Sequence, residues 1–449
     1  VNRSKRLIES PKLDWADTGL AMDLAEAAEP GGPHLENVVL HDLLPGAMHG
    51  WTAPPCSTGA WPLARRWTPL PIEVKATNRP RLGDATHLRA FRREYGKKAS
   101  SASRLTGRRT MGPGASATPG RASVIHTPVC DLLGIRHPIV LGGMAGGTSV
   151  PLVAAVSNAG GLGILGVART AAEQIPKDIA AVRDVTRSPF GVNFLLFLAR
   201  EPAIEAALAQ RPPVFSAAWA RADQDLWALF GRAHAAGSRV MYMVGTVAEA
   251  LRARAAGADV IVAQGTEGGG HVGWMATMAV LPMIVDAVGA TPVLAAGGIA
   301  DGRGVAAALA LGAQGALLGT RFLATQESPL HPNLKQAILD SDGHDTLLTE
   351  IPDIARGTVW PGAMARARRN AFIERWAGRE WELRARQPEV AAALQKATEG
   401  GDADDASLLI GQDAGLIRDT PPAGELVDRL VAEAEVLLKD RLPALVRAR

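Results

Sequence analysis

Hydrophobic and polar positions change their pattern partway along the chain. From about residue 125 eight short apolar, β-prone runs follow one another, each succeeded by an Ala/Leu-rich stretch of helical character. The runs are Pro138–Met144, Leu162–Val167, Phe190–Leu196, Val214–Trp219, Arg239–Val244, Asp259–Gly265, Pro292–Gly298 and Gly315–Leu323. Runs that are apolar on both faces of the pleat belong to parallel strands covered by helices. A crossover between parallel strands needs a dozen residues or more, and these runs start 20 to 33 residues apart. The pattern predicts an α/β fold, a (β/α)8 barrel over residues 123–328. Ser149 is placed to cap the helix that opens with Val150-Pro151, and Gly160 to end it in a left-handed turn. A doubly wound open sheet would carry a G-x-G-x-x-G turn after its first strand, and Gly142-Gly143-Met144-Ala145-Gly146-Gly147 does not fit that spacing.

Residues 329–449 read as a helical C-terminal extension and lid, with helical patterns at Pro332–Leu339, Ala363–Leu383 and Gly424–Leu438 and a Gly-rich loop, LLIGQDAGLI, between the last two. Such an extension covers a barrel's face or joins two copies as a homodimer, and the pattern leaves both roles open. Residues 1–122 show neither helical nor strand periodicity and are rich in Pro and Gly. They read as a low-order basic extension that buries too little apolar surface to offset its ordering entropy. A first residue of Val points to an authentic start near Met111; Trp15, Trp51, Trp61 and Trp67 would instead seed a small accessory core.

The 449 residues are 47% hydrophobic and 21% charged, with no apolar run long enough to form a membrane-spanning helix. No apolar leader precedes a cleavage site, so the cytoplasm is the expected location. Residues 1–122 hold 18 Lys/Arg against 11 Asp/Glu and the rest 30 against 34, so the basic character lies in the first segment. Those charges are scattered and carry no nucleic-acid-binding motif. Cys56 and Cys130 are the only cysteines. They suggest neither a disulfide framework nor a metal site, so redox chemistry requires a cofactor.

Barrel enzymes place their chemistry at the C-terminal ends of the strands, with a phosphate site after the seventh and eighth. The seventh run ends in Gly297-Gly298-Ile299-Ala300-Asp301-Gly302 and the eighth contains Gly319-Thr320-Arg321. Paired backbone N–H groups and the Thr320 hydroxyl would face a phosphate, although Asp301 would equally serve as a helix cap. After the sixth run comes Gln264-Gly265-Thr266-Glu267-Gly268-Gly269-Gly270-His271-Val272-Gly273. Its glycines, Gly269 among them, let backbone lie against a flat ring, and His271 is the candidate acid/base. Glu267 reads as a salt-bridging group at the base of this loop rather than a second acid. Asn193 and Gln264 place amides at strand exits, where paired donors and acceptors suit the mixed edge of a flavin ring. Met144 offers its sulfur to an aromatic ring or packs in the core. His126, His137, His331 and His344 read as surface or core groups.

Taken in order, GGMAGGTSVPLVAAVSNAGGLGILG, PFGVNFLL, QGTEGGGHVG, AAGGIADGRGVAAALALGAQGALLGTRFL and GQDAGLI resemble the nitronate monooxygenase (2-nitropropane dioxygenase-like) family over residues 125 to about 440. The resemblance implies noncovalent FMN at the barrel mouth, contacted by Met144, Ala145, Asn193, Gln264, Gly269, Gly297, Gly298, Gly319 and Thr320. It implies His271 as the catalytic base and oxidation of an alkyl nitronate by dioxygen to a carbonyl compound and nitrite. Familiar members read E-A-G-G-H-R-G where this chain has Gly268 and Val272, which removes an arginine as anion partner. Flavin-dependent enoyl-acyl carrier protein reductases share the barrel, glycine loop and histidine, so an NAD(P)H-dependent enoyl-thioester reductase is the alternative. A non-catalytic flavin-binding barrel is a third reading. An inosine monophosphate dehydrogenase-type barrel would need a cysteine after the sixth strand, where none stands.

Overall fold

The computed structural model describes residues 125–446; the readings made for residues 1–122, and Cys56 with them, lie outside that range. Eight parallel strands form one sheet: β1 (Ile139–Leu141), β2 (Gly163–Gly166), β3 (Phe190–Leu195), β4 (Val214–Ala218), β5 (Arg239–Val244), β6 (Val260–Gln264), β8 (Val293–Ala296) and β9 (Gly315–Leu318). Each falls inside one of the eight apolar runs. β1 pairs with β9 from Ile139↔Ala316 to Leu141↔Leu318, and a parallel bridge Val140↔Leu162 closes the ring on the β2 side.

Alternation along the strands builds two cores. Val140, Ile164, Val214, Met241, Val262, Leu294 and Leu317 fill the barrel, and Val129, Cys130 and Leu133 of the helix Pro128–Leu133 join them. Ile139, Leu141, Val192, Phe194, Phe215 and Ile261 face outward against the surrounding helices. Ser149 accepts the N–H of Leu152 at 3.2 Å, and Gly160 has φ +90°, so the first crossover helix begins and ends where its sequence predicts. No helix among the described residues is long and apolar enough to cross a membrane.

The region after β9 departs from the expected all-helical extension. Pro332–Leu339 is a helix, extended to Asp340, but Ala363–Leu383 is not. It divides into β11 (Met364–Arg368), a helix Ala371–Trp376 capped by Asn370, and a helix Glu380–Ala385. β11 is the middle of a three-stranded antiparallel sheet, between β10 (Thr346–Thr349) and β7 (Gly270–Val272). Pairing on both edges overrides the helical propensity of its Ala/Arg composition. The predicted Gly424–Leu438 helix forms as Ala423–Val436, and it packs on the barrel helices Gly302–Ala310 and Val150–Asn158. Its Leu426, Val427, Leu430 and Val431 belong to the outer barrel core. It therefore completes the helical ring, and the segment between β9 and this helix is an insertion. Gly302 permits the contact, because a Cβ there would stand 2.3 Å from that of Glu433.

Candidate active site

The strand exits gather most of the predicted site. At the end of β8 Gly297 and Gly298 have φ of +94° and +75°, a conformation glycine adopts without steric cost. A Cβ on Gly297 would meet the Gly265 carbonyl at 2.8 Å, so this residue lets the β6 and β8 exits touch. Gly298 is exposed, and its N–H and that of Ile299 have no acceptor among the described residues. Successive free N–H groups in such a turn form an anion nest. Asp301 also does what its cap reading expects, accepting the N–H groups of Arg303 and Gly304. Across the mouth, a Cβ on Gly319 would meet only the Met144 sulfur, at 3.4 Å. Gly166 brings the β1 exit in, since a Cβ there would stand 2.6 to 2.8 Å from the backbone of Met144 and Ala145.

Several of these side chains do structural work. Asn193 is buried; its Nδ2 donates to the Gly143 carbonyl and its Oδ1 accepts from Ser216, each at 2.9 Å, so it ties the exits of β1, β3 and β4 together. The Thr320 hydroxyl, expected to face a phosphate, is buried and accepts the Gly411 N–H at 2.9 Å. Gly269 serves the same C-terminal loop: a Cβ there would stand 2.5 Å from the Ile410 carbonyl carbon. Gln264 differs, since its amide makes no hydrogen bond among the described residues. An open nest at Gly298, an uncommitted amide at Gln264 and a clear face at Gly319 fit FMN, with the phosphate suited to the nest and the amide to the ring edge.

His271 lies on β7 rather than in an irregular loop, opposite Ala365 of β11. Its Nε2 is 2.9 Å from Asp353 Oδ2, and both side chains are only 8% exposed. A carboxylate can only accept, so Nε2 carries the proton, and Nδ1 is left with a lone pair. Trp360 lies on the imidazole with ring centroids 3.3 Å apart and planes 10° from parallel, and its Nε1–H donates to Asp353 Oδ1 at 3.1 Å. Phe197 and Trp219, from the exits of β3 and β4, pack against Trp360 at 4.6 and 5.9 Å. Trp219 has φ +58°, a strained conformation for an aromatic residue. Burial pushes the His271 pKa down; the Asp353 bond and charge oppose this, and the positive charges of Arg356 and Arg169 add to it. The imidazole is accordingly neutral at neutral pH.

Glu267 forms no salt bridge among the described residues. Its carboxylate accepts the N–H of Thr277 at 2.9 Å and the Thr277 hydroxyl at 3.0 Å, capping the helix Thr277–Val288 from outside. Arg366, buried on β11, donates to the Thr266 carbonyl at 2.7 Å and props the same loop. Asp353, Trp360 and Arg366 lie 82 or more residues beyond His271, and nothing near them in sequence marks their role.

The nest and the neutral imidazole stand at the same end of the barrel, and together they define a flavin-dependent (β/α)8 oxidoreductase, with FMN as its cofactor. A family profile described as nitronate monooxygenase matches residues 126–223 and 201–433, and the chain belongs to that family. Among curated relatives, the (3aS,4S,5R,7aS)-5-hydroxy-7a-methyl-1-oxo-octahydro-1H-indene-4-carboxyl-CoA dehydrogenase of Mycobacterium tuberculosis is 36% identical, over 69% of this chain and 96% of that protein. A probable nitronate monooxygenase of Staphylococcus aureus is 30% identical, over 69% and 97%. Of solved structures, FabK from Thermotoga maritima has a TM-score of 0.65 and 34% identity, covering 72% of this chain and 100% of its own. The nitroalkane oxidase of Streptomyces ansochromogenes has a TM-score of 0.60 and 30% identity, covering 71% and 99%.

Proposed function

We propose that the protein oxidises a carbon acid, with His271 Nδ1 as the base, and that the substrate is an alkyl nitronate or its parent nitroalkane. Dioxygen is the terminal oxidant, and the products are a carbonyl compound and nitrite. The observation that carries this reading is the Asp353–His271 pair: a carboxylate fixes the tautomer, burial keeps the ring neutral, and Nδ1 makes no hydrogen bond among the described residues. FMN, when bound, supplies the electron acceptor. The protein's part is to hold the base, exclude water with Phe197, Trp219 and Trp360, and orient the substrate. A neutral nitroalkane gives its α proton to Nδ1; a preformed nitronate needs only to be positioned. We read the insertion between β9 and the last helix as the lid, because β11 holds the strand that carries His271.

A second reading, oxidation or reduction of an acyl thioester beside its carbonyl, is favoured by the 36% identity to a CoA-thioester dehydrogenase. An acyl thioester is also a carbon acid and would use the same base. Anaerobic mixing separates the two. Ethylnitronate or propionate 3-nitronate is expected to change the absorbance of the bound flavin. Bleaching by NADH with no nitronate response would replace this function with enoyl-thioester reduction, and bleaching by an acyl-CoA alone would replace it with dehydrogenation.

A further inference from the structure

Like several other arginines, Arg169 and Arg356 make no ion pair among the described residues. Arg368, Arg375, Arg379 and Arg386 are each paired with a carboxylate within 3.1 Å. Arg356 is exposed and makes no ion pair and no side-chain hydrogen bond among the described residues, the Asp353 carboxylate being the charge that acts on it most. Arg169 makes one side-chain bond, from Nη2 to the Thr358 hydroxyl at 2.7 Å.

Their placement ties both to the base. Asp353 lies on the helix Ile351–Ala355, and Arg356, three residues on, caps its end and shares its face. The Thr358 N–H donates to the Asp353 carbonyl at 2.9 Å, so the residue that holds Arg169 is fastened to the residue that holds His271. Arg169 stands in the turn after β2 with φ +72°, a left-handed conformation that costs an arginine energy and is retained where it places a functional group. Of the charged groups, the Asp353 carboxylate bears on Arg356 first and the charge of Arg169 opposes it, while both arginines bear on the imidazole. The single Asp353 carboxylate offsets only one of the two positive charges, and guanidinium groups match carboxylate and phosphate oxygens in paired geometry.

We infer that Arg169 and Arg356 form a binding site for an anionic group of the substrate, a carboxylate or phosphate some bonds removed from the carbon that meets His271. The pair supplies the cation that Val272 does not, from two other elements. The inference rests on the proposed function for the word substrate alone, because anion binding is measurable without turnover.

Titration calorimetry on the FMN-loaded full chain at low ionic strength tests it with two inert probes. Malonate represents a carboxylate carried by a small substrate; adenosine 3′,5′-bisphosphate represents the phosphates of a CoA thioester. One of the two is expected to bind, with affinity about tenfold weaker or worse in R169G and in R356Q and with a steep dependence on salt. R169G suits the backbone at φ +72°, so it removes the guanidinium without added strain, and retained flavin absorbance confirms that the site is intact. Binding of neither probe, or equal binding by wild type and both variants, overturns the inference. Arginine-dependent binding in a protein that turns over no nitronate supports the anion site and dismisses the nitronate.

Discussion

The Thr320 hydroxyl accepts the N–H of Gly411 at 2.9 Å across 91 residues of sequence, fastening the C-terminal loop to the exit of β9. The same loop reaches the glycine run, where the Gln412 N–H donates to the Glu267 carbonyl at 2.9 Å. One segment thus buckles the exit of β9 to the loop that leads into β7, the strand carrying His271. Glycines at 269 and 411 make the approach possible, because side chains at either position would collide with backbone.

Replacing Gly269 by alanine should break that buckle. The new Cβ would stand 2.5 Å from the carbonyl carbon of Ile410, and backbone on both sides cannot yield cheaply. Overpacking of this kind costs about 1 to 3 kcal/mol, so a lower Tm and faster loss of flavin are expected. Gly400→Ala is the control, since its Cβ would meet nothing within 4 Å near the end of the helix Gln387–Gly400. It should leave Tm unchanged or raise it. A Gly269→Ala protein as stable and as yellow as wild type would show that the loop does not clasp the site.

Why the barrel was legible and the partners of His271 were not follows from range. A buried parallel strand writes itself as a local apolar run, and all eight did so. The second sheet leaves no such trace: GHV, TLLT and MARAR are short, β7 is a strand only through pairing with β11 (Met364↔Val272 to Arg366↔Gly270), and β11 is held on its other edge by β10 (Thr346↔Arg368 to Thr349↔Ala365). The type of residue at 193, 264 and 320 was readable from the strand exits, but not the use of each side chain. Asn193 and Thr320 are taken up by Gly143, Ser216 and Gly411, whereas Gln264 stays open. Asp353 sits in an ordinary short helix, and its role appears only once the fold brings His271 to it.

Asp353→Asn should separate the base from the cofactor. The amide can donate as well as accept, so it no longer forces the proton onto Nε2. Flavin binding is expected to persist, while kcat/KM on neutral nitroethane falls about 100-fold or more, the usual worth of a positioned base. His271→Ala should act the same way. In both variants preformed ethylnitronate should suffer less, since its proton is already gone. Equal losses on the two substrates, measured as nitrite release, would falsify the assignment of His271 as base.

The pH profile tests the burial of that base. His271 titrates below its ordinary value of 6.5, chiefly because it is desolvated. With His271 in the proposed role the neutral ring is the active form, so kcat/KM on nitroethane should rise with pH and reach half its plateau below pH 6.5. Trp360→Ala uncovers the ring and should move the midpoint upward. Stability follows the same sign: the unfolded chain binds the proton more readily, so the contribution of His271 declines as pH falls below 6.5. A wild-type midpoint above 6.5 would mean that the imidazole is not held neutral by its surroundings.

Asp413 offers the opposite sign in the same loop. Its buried side chain is raised from 3.8 to about 7, first by desolvation and against the hydrogen bond from Thr320 and the charge of Arg321, with Glu267 adding to the rise. A folded-state value above the unfolded one gives stability that is complete below pH 3.8 and lost as pH rises toward about 7. Each unit of that difference corresponds to about 1.4 kcal/mol. Asp413→Asn resembles the protonated acid at every pH and carries no such loss. Its Tm should therefore gain on wild type between pH 4 and 7 and keep a constant lead above. Curves that run parallel across that range would mean that the carboxylate is accommodated without strain, and that the loop holds Thr320 equally well in either charge state.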